Sequence, residues 1–267
     1  RENLEALLDA KLTGLAHALD DEEVSDFRMG GLFGIERQLV EIHTAFSDEL
    51  RKSILQYAMQ GKLVEQRKEE GTGYDLYLAI QTERDALIDA GKLKRETALP
   101  EITDDDTPFD IPDSWRWAYL NDIVAKNIKR GKSPKYTTKS SKVLVFAQKC
   151  NVKNGGIDLS LCQLLDENVL GKYPEEEFMV DKDIVINSTG TGTLGRIGIY
   201  NLTDNQDGRL LVPDSHVTIV RLVEHVYSPY IYYIICNYQK YLEGKGSGST
   251  KQKELKPEVI KSLLIPI

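Results

Sequence analysis

A glycine-rich segment, Gly190–Gly195, reads GTGTLG and has residue types and a spacing that could bind a cofactor. It follows the apolar run DIVIN (183–187) and has the spelling G-x-G-x-x-G, which is typical of dinucleotide-binding loops. Such a loop needs a helix directly after the glycines, because the pyrophosphate binds at the helix N-terminus. The next residues, RIGIY (196–200), instead alternate like a strand. The pattern favours a glycine-rich connection between two strands, with hydroxyls and backbone amides exposed.

A second group of residues imitates a nuclease site. Glu254-Leu255-Lys256, with Pro213-Asp214 far ahead of it, loosely follows the pattern PD…E-x-K. The gap is long and both parts are common, so chance is the simpler explanation. The alternative hypothesis is therefore a nucleotide-dependent enzyme that uses GTGTLG, or a nuclease that uses Glu254 and Lys256. The histidines have no metal-ligand spacing and there is no C-x-x-C, so neither a metal site nor a catalytic residue is predicted.

Basic residues mixed with hydroxyls are the positive signal. The segment from Lys126 to Ile157 holds nine bases and no acid, with Tyr, Thr and Ser between them. A second basic loop, Lys245 to Lys253, mixes lysine with Gly, Ser, Thr and Gln. Cations and hydroxyls of this kind contact phosphates, which dominate affinity for nucleic acid. A solvated lysine-rich surface is the other explanation. Because two patches lie in the same basic part of the chain, polyanion binding and a solvated surface are equally good explanations.

The charge of the chain is divided between its two parts. Of 267 residues, 41% are hydrophobic and 28% charged, which is typical of a globular protein. Residues 1–113 carry 13 basic and 26 acidic residues, whereas residues 114–267 carry 21 basic and 16 acidic residues, for a net charge of −8. Such a split predicts different partners for the two parts. No apolar stretch is long enough to span a bilayer and no signal peptide is recognisable, so a cytoplasmic location is expected, without a membrane partner.

The elements that must position these residues follow from apolar periodicity. Helical spacing predicts helices over about 3–20, 35–60 and 74–91. Alternating and apolar runs then predict strands, which lie at 115–124, 143–148, 183–187, 196–200, 216–222 and the final LLIPI. One long helix is expected over 228–244 and a short one over 257–262.

The expected fold class is α+β. An acidic helical region at 1–94, antiparallel and coiled-coil-like, precedes an acidic linker at 95–113 that contains three prolines. A basic, mixed α/β domain at 114–267 follows.

Several stretches, in a fixed order, carry a resemblance to a known family. They are LRKSILQYAMQGKLVEQ (50–66), DLYLAIQTERDALIDAGKLK (75–94), LPEITDDDTPFDIPDSWRWAYLNDI (99–123), INSTGTGTLGRIGIY (186–200), DSHVTIVRL (214–222) and GSGSTKQKELKPEVIKSLLIPI (246–267). Together they resemble the DNA specificity subunit of type I restriction–modification systems. In that family a helix ending in Gly-Lys-Leu-Val leads through an acidic linker to IPxSWxWxxLxxI, which opens a target recognition domain. The match covers about residues 35–267, and residues 1–33 carry no recognised motif.

The resemblance implies a non-catalytic chain that binds double-stranded DNA. Such subunits typically have two target recognition domains, each reading one half of a split site, and this sequence has one. It is therefore expected to be either the first half of a longer subunit or a half-size subunit that self-associates. The implied protein partners are the methylation (M) subunits, which dock on it and bind S-adenosylmethionine, and the restriction/motor (R) subunit. No cofactor is expected in this chain, since S-adenosylmethionine, ATP and Mg²⁺ belong to the partner subunits.

In that family the base contacts come from loops of the recognition domain. The loops that match here combine cations, hydroxyls and glycines, and the candidate DNA-binding residues are Lys129, Arg130, Lys132, Lys135, Thr189, Thr191, Thr193, Arg196, Lys245, Ser247, Ser249, Thr250 and Lys251. Arg196 is the best single candidate for reading a guanine, because its two-pronged guanidinium matches O6 and N7. An ion pair with a nearby acid is the alternative role for it.

Overall fold

The computed structural model describes residues 46–47, 49–153, 156–190, 192–248 and 253–267. The predicted helix over 3–20, most of the one over 35–60, and the candidates Thr191, Ser249, Thr250 and Lys251 lie outside this range. The chain divides into two compact units. One comprises Arg1–Gly71 with Pro108–Ser114, and the other Thr72–Thr107 with Trp115–Ile267.

In the first unit, residues 46–47 and 49–59 are helical. The helix ends at Gly61, whose φ of 65° lies in the left-handed region that favours glycine. The amide of Lys62 donates to the carbonyl of Tyr57 at 2.9 Å, which satisfies one of the last helical carbonyls. A short 3₁₀ turn, Lys68–Glu70, follows.

Helix α1, Gly73–Asp89, begins the second unit. Thr72 caps it: its hydroxyl accepts from the amide of Asp75, whose carboxylate accepts in return from the amide of Thr72. A Cβ on Gly73 would lie 2.2 Å from the carbonyl oxygen of Ile267, so only glycine permits this close approach.

Side chains of α1 attach it to the rest of the second unit. Gln81 donates to the carbonyl of Asp122 at 2.9 Å, and Arg84 donates to those of Val124, at 3.1 Å, and Asn121. This placement differs from the sequence prediction, which groups the helix with those before it in 1–94, because these long-range bonds leave no trace in local periodicity. The predicted divisions of the chain at 1–94, 95–113 and 114–267 remain predictions.

Ten strands form three sheets in the part of the chain that the structure describes. They are β1 (Trp117–Tyr119), β2 (Lys129–Arg130), β3 (Tyr136–Thr137), β4 (Val143–Phe146), β5 (Gln163–Leu165), β6 (Ile184–Asn187), β7 (Ile197–Ile199), β8 (Leu210–Pro213), β9 (Val217–Val220) and β10 (Leu264–Pro266). One sheet has the order β2-β9-β6-β7, a second β3-β5-β4-β8, and β1 pairs with β10. The pair β4–β8 is parallel and the other pairs are antiparallel. The expected mixture of helix and sheet is confirmed.

The two four-stranded sheets share one apolar core. Its members come from strands of both sheets and from their connections: Phe146, Ala147, Cys150, Met179, Val185, Tyr200, Leu211, Val217 and Ile219. Strands β8 and β9 belong to different sheets and are joined by Asp214–His216, so this turn connects an edge strand of one sheet to an interior strand of the other. Within the turn, the carboxylate of Asp214 accepts from the amide of His216 at 2.8 Å.

The described residues of this unit form three further helices: α2 (Ser228–Asn237), α3 (Gln239–Gly244) and α4 (Pro257–Lys261). The predicted long helix over 228–244 is interrupted at Tyr238, which caps the end of α2 and the start of α3. The predicted strand over 115–124 is also shorter, because a 3₁₀ turn at Leu120–Ile123 follows β1. None of the helices that the structure describes is long and apolar enough to cross a bilayer.

Candidate nucleic-acid interface

The glycine-rich segment is a turn between two antiparallel strands. Strand β6 pairs with β7 in the register Ile184↔Ile199 to Ile186↔Ile197. Residues 188–196, called here the glycine turn, connect them. Gly190, Gly192 and Gly195 have φ values of 107°, 76° and 74°, which L side chains rarely adopt. A dinucleotide loop would lead into a helix, so this hairpin contradicts the alternative hypothesis of a nucleotide enzyme that uses GTGTLG.

Arg196 closes the glycine turn from its last position. Its Nη1 donates to the carbonyl of Asn151 at 2.8 Å and its Nη2 to that of Gly192 at 3.3 Å. The side chain of Asn151 in turn donates to the carbonyl of Arg196 at 3.0 Å. The expected alternative, an ion pair with a nearby acid, is replaced by bonds to backbone carbonyls. The guanidinium fork therefore already has protein partners.

Three of the predicted DNA-binding segments converge on Glu254. Its carboxylate lies 2.6 Å from Nη1 of Arg130, at the end of β2. Its backbone exchanges two hydrogen bonds with Ser247, at 2.8 and 2.9 Å, and forms a bridge with Thr189. The amide of Leu255 donates to the carbonyl of Ser188 at 2.8 Å. Strand β2, the glycine turn and the loop between α3 and α4 thus meet at one end of the β2-β9-β6-β7 sheet.

This contact also bears on the nuclease hypothesis. Glu254 forms an ion pair with Arg130, and half of its side chain, 53%, remains exposed. Asp214, the other acid of the imitated motif, is 2% exposed and accepts from the amide of His216. Burial raises the pKa of Asp214, although that hydrogen bond and His216 oppose the rise. Each acid therefore has a structural role of its own.

Polar residues that the sequence did not single out line the same end of the sheet. Nδ1 of His216 lies 2.6 Å from Oγ1 of Thr189, whose hydroxyl also donates to the amide oxygen of Gln148 at 3.4 Å. A Cβ on Gly190 would lie 2.5 Å from that oxygen of Gln148. The hydroxyl of Thr193 donates to the carbonyl of Thr189 at 3.3 Å. Gln148 follows β4, and only the pairing of distant strands brings it to the turn.

Three bases of the lysine-rich segment share one carboxylate. Oε1 of Glu177 lies 2.7 Å from Nζ of Lys129 and 3.8 Å from Nζ of Lys132, and Oε2 lies 3.4 Å from Nζ of Lys126. We call these four residues the Glu177 cluster. Glu177 is 3% exposed, although a run of acids such as Glu175-Glu176-Glu177 is ordinarily solvated.

Electrostatics in the Glu177 cluster favour the charged form of Glu177. Burial opposes ionisation of Glu177, but the hydrogen bond from Lys129 and the charges of the three lysines hold its pKa below the usual value. Burial lowers the pKa of Lys126, and Glu177 opposes that change. Lys132 also donates to the carbonyl of Lys172 and lies 5.6 Å from the ring centroid of Tyr173.

The remaining cations differ in their partners. Lys135 pairs with Asp166 at 2.8 Å, and the ammonium of Lys245 lies 5.1 Å from the ring centroid of Tyr241. Lys139 and Lys149 are exposed, and no carboxylate within residues 49–153, 156–190, 192–248 or 253–267 lies within ion-pair distance of them. Lys149 directly follows Gln148, beside the glycine turn. The cations best able to meet an external anion are thus a subset of those that the sequence displays.

Comparison with known proteins gives a consistent result. No family model matches the chain. It is 28% identical over 193 residues to the type I restriction enzyme EcoEI specificity subunit of Escherichia coli, and 29% identical over 140 residues to the EcoAI specificity subunit of the same organism. Over more than half of its length, the chain is thus similar to type I restriction enzyme specificity subunits. The resemblance stated from its sequence motifs is therefore confirmed.

The similarity covers part of each protein. The alignments include 69% and 52% of this chain but 31% and 23% of the two relatives. Among solved structures, the chain is similar to the HsdS subunit from Thermoanaerobacter tengcongensis, with a TM-score of 0.43 and 14% identity. That match covers 86% of this chain and 46% of the HsdS subunit. The chain thus spans about a third or less of the curated relatives.

Proposed function

We propose that this chain is the DNA-reading, non-catalytic part of a type I restriction–modification complex and that it recognises one half of a bipartite double-stranded site. The observation that carries the proposal is the convergence of β2, the glycine turn and the 245–253 loop at one end of a sheet. The similarity to two specificity subunits supports it, since specificity subunits are named for sequence choice.

Contacts of two kinds follow from the geometry. Exposed lysines outside ion pairs, Lys139 and Lys149, suit phosphates and position the duplex without reading its sequence. Hydroxyls and backbone groups of the glycine turn suit base edges, because glycines with positive φ let the backbone approach closely. Arg196 reads a guanine only if its guanidinium leaves the carbonyls of Asn151 and Gly192.

The proposal extends to partners. Methylation subunits that bind S-adenosylmethionine dock on this chain, and a restriction/motor subunit supplies ATP- and Mg²⁺-dependent activity. The chain is cytoplasmic. A second recognition domain comes either from a continuation of the same polypeptide or from self-association of a half-size subunit. The names of the relatives, which are subunits of restriction enzymes, support assembly of the chain with other subunits.

The test is selection of a motif from a random-sequence duplex pool by the complex of this chain with its methylation subunit. We expect enrichment of one short half-site motif for each copy of the recognition domain. Affinity for the selected duplex should fall steeply with salt, as counterion release requires. A pool that stays unenriched, or binding insensitive to salt, would contradict the proposal.

A matched pair of lysine variants locates the interface. Lys149→Ala removes an exposed cation beside the glycine turn, whereas Lys135→Ala removes one that Asp166 already neutralises. We expect Lys149→Ala to reduce affinity more, and to make the slope of log K against log salt shallower by about one unit. Equal effects of the two substitutions would place the interface elsewhere.

A further inference from the structure

The carboxylate of Glu177 lies against the most basic segment of the chain. Its side chain is 4% exposed, and three ammonium groups lie within 4.0 Å of its oxygens. The lysines differ in access: the side chain of Lys126 is 8% exposed, whereas those of Lys129 and Lys132 are 50% and 41% exposed. Lys126 therefore belongs to the interior, and the other two ammonium groups reach solvent from the same carboxylate.

A second, buried ion pair fixes the backbone on both sides of Glu177. The guanidinium of Arg221 donates to the two carboxylate oxygens of Asp183 at 2.9 and 2.8 Å. Asp183 is 1% exposed. The same guanidinium donates to the carbonyl of Phe178 at 2.6 Å and to that of Glu176 at 3.5 Å. The backbone on both sides of Glu177 is thus held by Arg221, independently of the lysines.

Stability alone gives a weak reason for this arrangement. Removing charged groups from water is unfavourable. A protein in which well-packed apolar residues replace a buried ion pair is therefore often as stable as the original. One carboxylate also cannot neutralise three ammonium groups, so the Glu177 cluster keeps a formal excess of two positive charges. That excess lies on Lys129 and Lys132, which reach solvent and can contact an external anion.

We infer that Glu177 is a resident anion that competes with DNA phosphates for Lys129 and Lys132 and so limits binding to non-specific duplex. This inference rests on the proposed function. A phosphate that recruits these lysines must draw them from contacts of 2.7 and 3.8 Å with Glu177. Non-specific binding rests almost entirely on phosphate contacts, whereas base contacts also hold a specific duplex, which therefore needs to recruit these lysines less. The cost then falls mainly on non-specific DNA, so the carboxylate increases discrimination.

The first experiment uses no DNA. Glu177→Gln is compared with Glu176→Gln, which removes the same charge from the exposed neighbouring position. Both are made in the full chain and labelled with a limiting amine-reactive reagent, with Lys139 as internal reference. We expect Glu177→Gln to increase labelling of Lys129 and Lys132 several-fold and Glu176→Gln to leave it unchanged. Equal labelling in the two variants would overturn the inference whatever the DNA results are.

The second experiment measures binding of the assembled complex to a selected duplex and to a scrambled one at several salt concentrations. We expect Glu177→Gln to raise affinity for the scrambled duplex by roughly tenfold at low salt and to steepen its salt slope by about one to two units. Affinity for the selected duplex should rise less. If Glu177→Gln binds the scrambled duplex no better than Glu176→Gln, while the unaltered complex binds DNA, the inference fails and the proposed function stands.

A further pair of variants guards against loss of folding, since Glu177→Gln leaves Lys126 buried without a partner. Lys126→Met combined with Glu177→Gln removes the buried pair but frees Lys129 and Lys132, and Lys126→Met alone keeps Glu177 in place. The inference requires stronger scrambled-duplex binding by the double variant than by the single one, and equal binding would overturn it. If the unaltered complex binds no duplex at all, the proposed function fails and the inference with it.

Discussion

Arg196 bonds to the backbone of two segments, and one of these segments bonds back to the backbone of Arg196. Its guanidinium spans the carbonyls of Asn151 and Gly192, on two separate segments. Asn151 is fully buried and bonds back to the carbonyl of Arg196. The glycines give the turn its shape, and this reciprocal contact keeps the turn against the neighbouring loop. Arg196 therefore stabilises the candidate interface whether or not it touches a base.

We expect Arg196→Ala to destabilise the chain by about 1.5–3 kcal/mol, since bonds donated by a charged group are lost. Arg196→Lys should recover only part of this, because an ammonium lacks the planar fork that spans two carbonyls. Urea denaturation, with amide exchange of the turn, measures both. The control is Arg209→Ala, which breaks an exposed pair with Asp207 and should cost less than about 1 kcal/mol. Equal losses for Arg196→Ala and Arg209→Ala would show that Arg196 has no structural role.

At the scale of elements, polar contacts at the third turn of α1 hold this helix to the connection between β9 and α2. The carboxylate of Glu83 accepts from the amide of Glu224 at 2.8 Å and lies 2.6 Å from Nδ1 of His225. Burial opposes ionisation of Glu83, but its hydrogen bonds with His225 and Glu224 outweigh burial and lower the pKa below the ordinary value of 4.5. The charged form of Glu83 therefore stabilises the attachment of α1.

This attachment should depend on pH. A carboxylate whose pKa is lower in the folded state contributes stability above its unfolded pKa and loses it as pH falls through the folded value. We expect Glu83→Gln to be less stable than the unaltered chain at neutral pH, and the difference to narrow as pH falls below 4.5. Thermal unfolding at several pH values measures it. The exposed Glu101, replaced by Gln, is the control, and a difference for Glu83→Gln that is constant with pH would contradict the assignment.

Local sequence predicts elements better than it predicts their partners. The apolar runs at β4, β6, β7 and β9 identify strands, and the alternation after GTGTLG identifies the hairpin. Strands β2 and β3 are two residues each, too short for periodicity to reveal. Neither does spacing along the chain reveal that Sγ of Cys150 lies 3.6 Å from that of Cys162.

The distribution of charge along the sequence likewise does not reveal which charged residues are partners. The lysine-rich segment contains no acid, yet four of its lysines are paired with Glu177 or Asp166 from later parts of the chain. A charge count along the sequence therefore overestimates the cations available to DNA. Glu177 itself follows Pro174 in a short 3₁₀ turn and precedes the partly buried Phe178, but a run of three glutamates is ordinarily solvated.

At the scale of the whole molecule, the second unit is closed by its last strand. Strand β10 pairs with β1 from Trp117↔Pro266 to Tyr119↔Leu264, and Arg116 and Ile267 exchange two backbone bonds of 2.9 Å. Helix α2 covers this ladder, with the hydroxyl of Tyr230 donating to the carbonyl of Pro266 at 3.1 Å. Residues far apart in the sequence thus complete one small sheet, so the fold requires both.

We expect deletion of residues 264–267 to destabilise the second unit by several kcal/mol, because it removes the β1–β10 ladder and the buried Ile265 and Ile267. That loss is comparable to the whole stability of many domains. The milder variant Tyr230→Phe removes one hydrogen bond to β10 and should cost about 1 kcal/mol. Circular dichroism during urea denaturation gives both values. If the deleted chain unfolds at the same urea concentration as Tyr230→Phe, the last strand is dispensable, and the stability of the unit comes from its two four-stranded sheets alone.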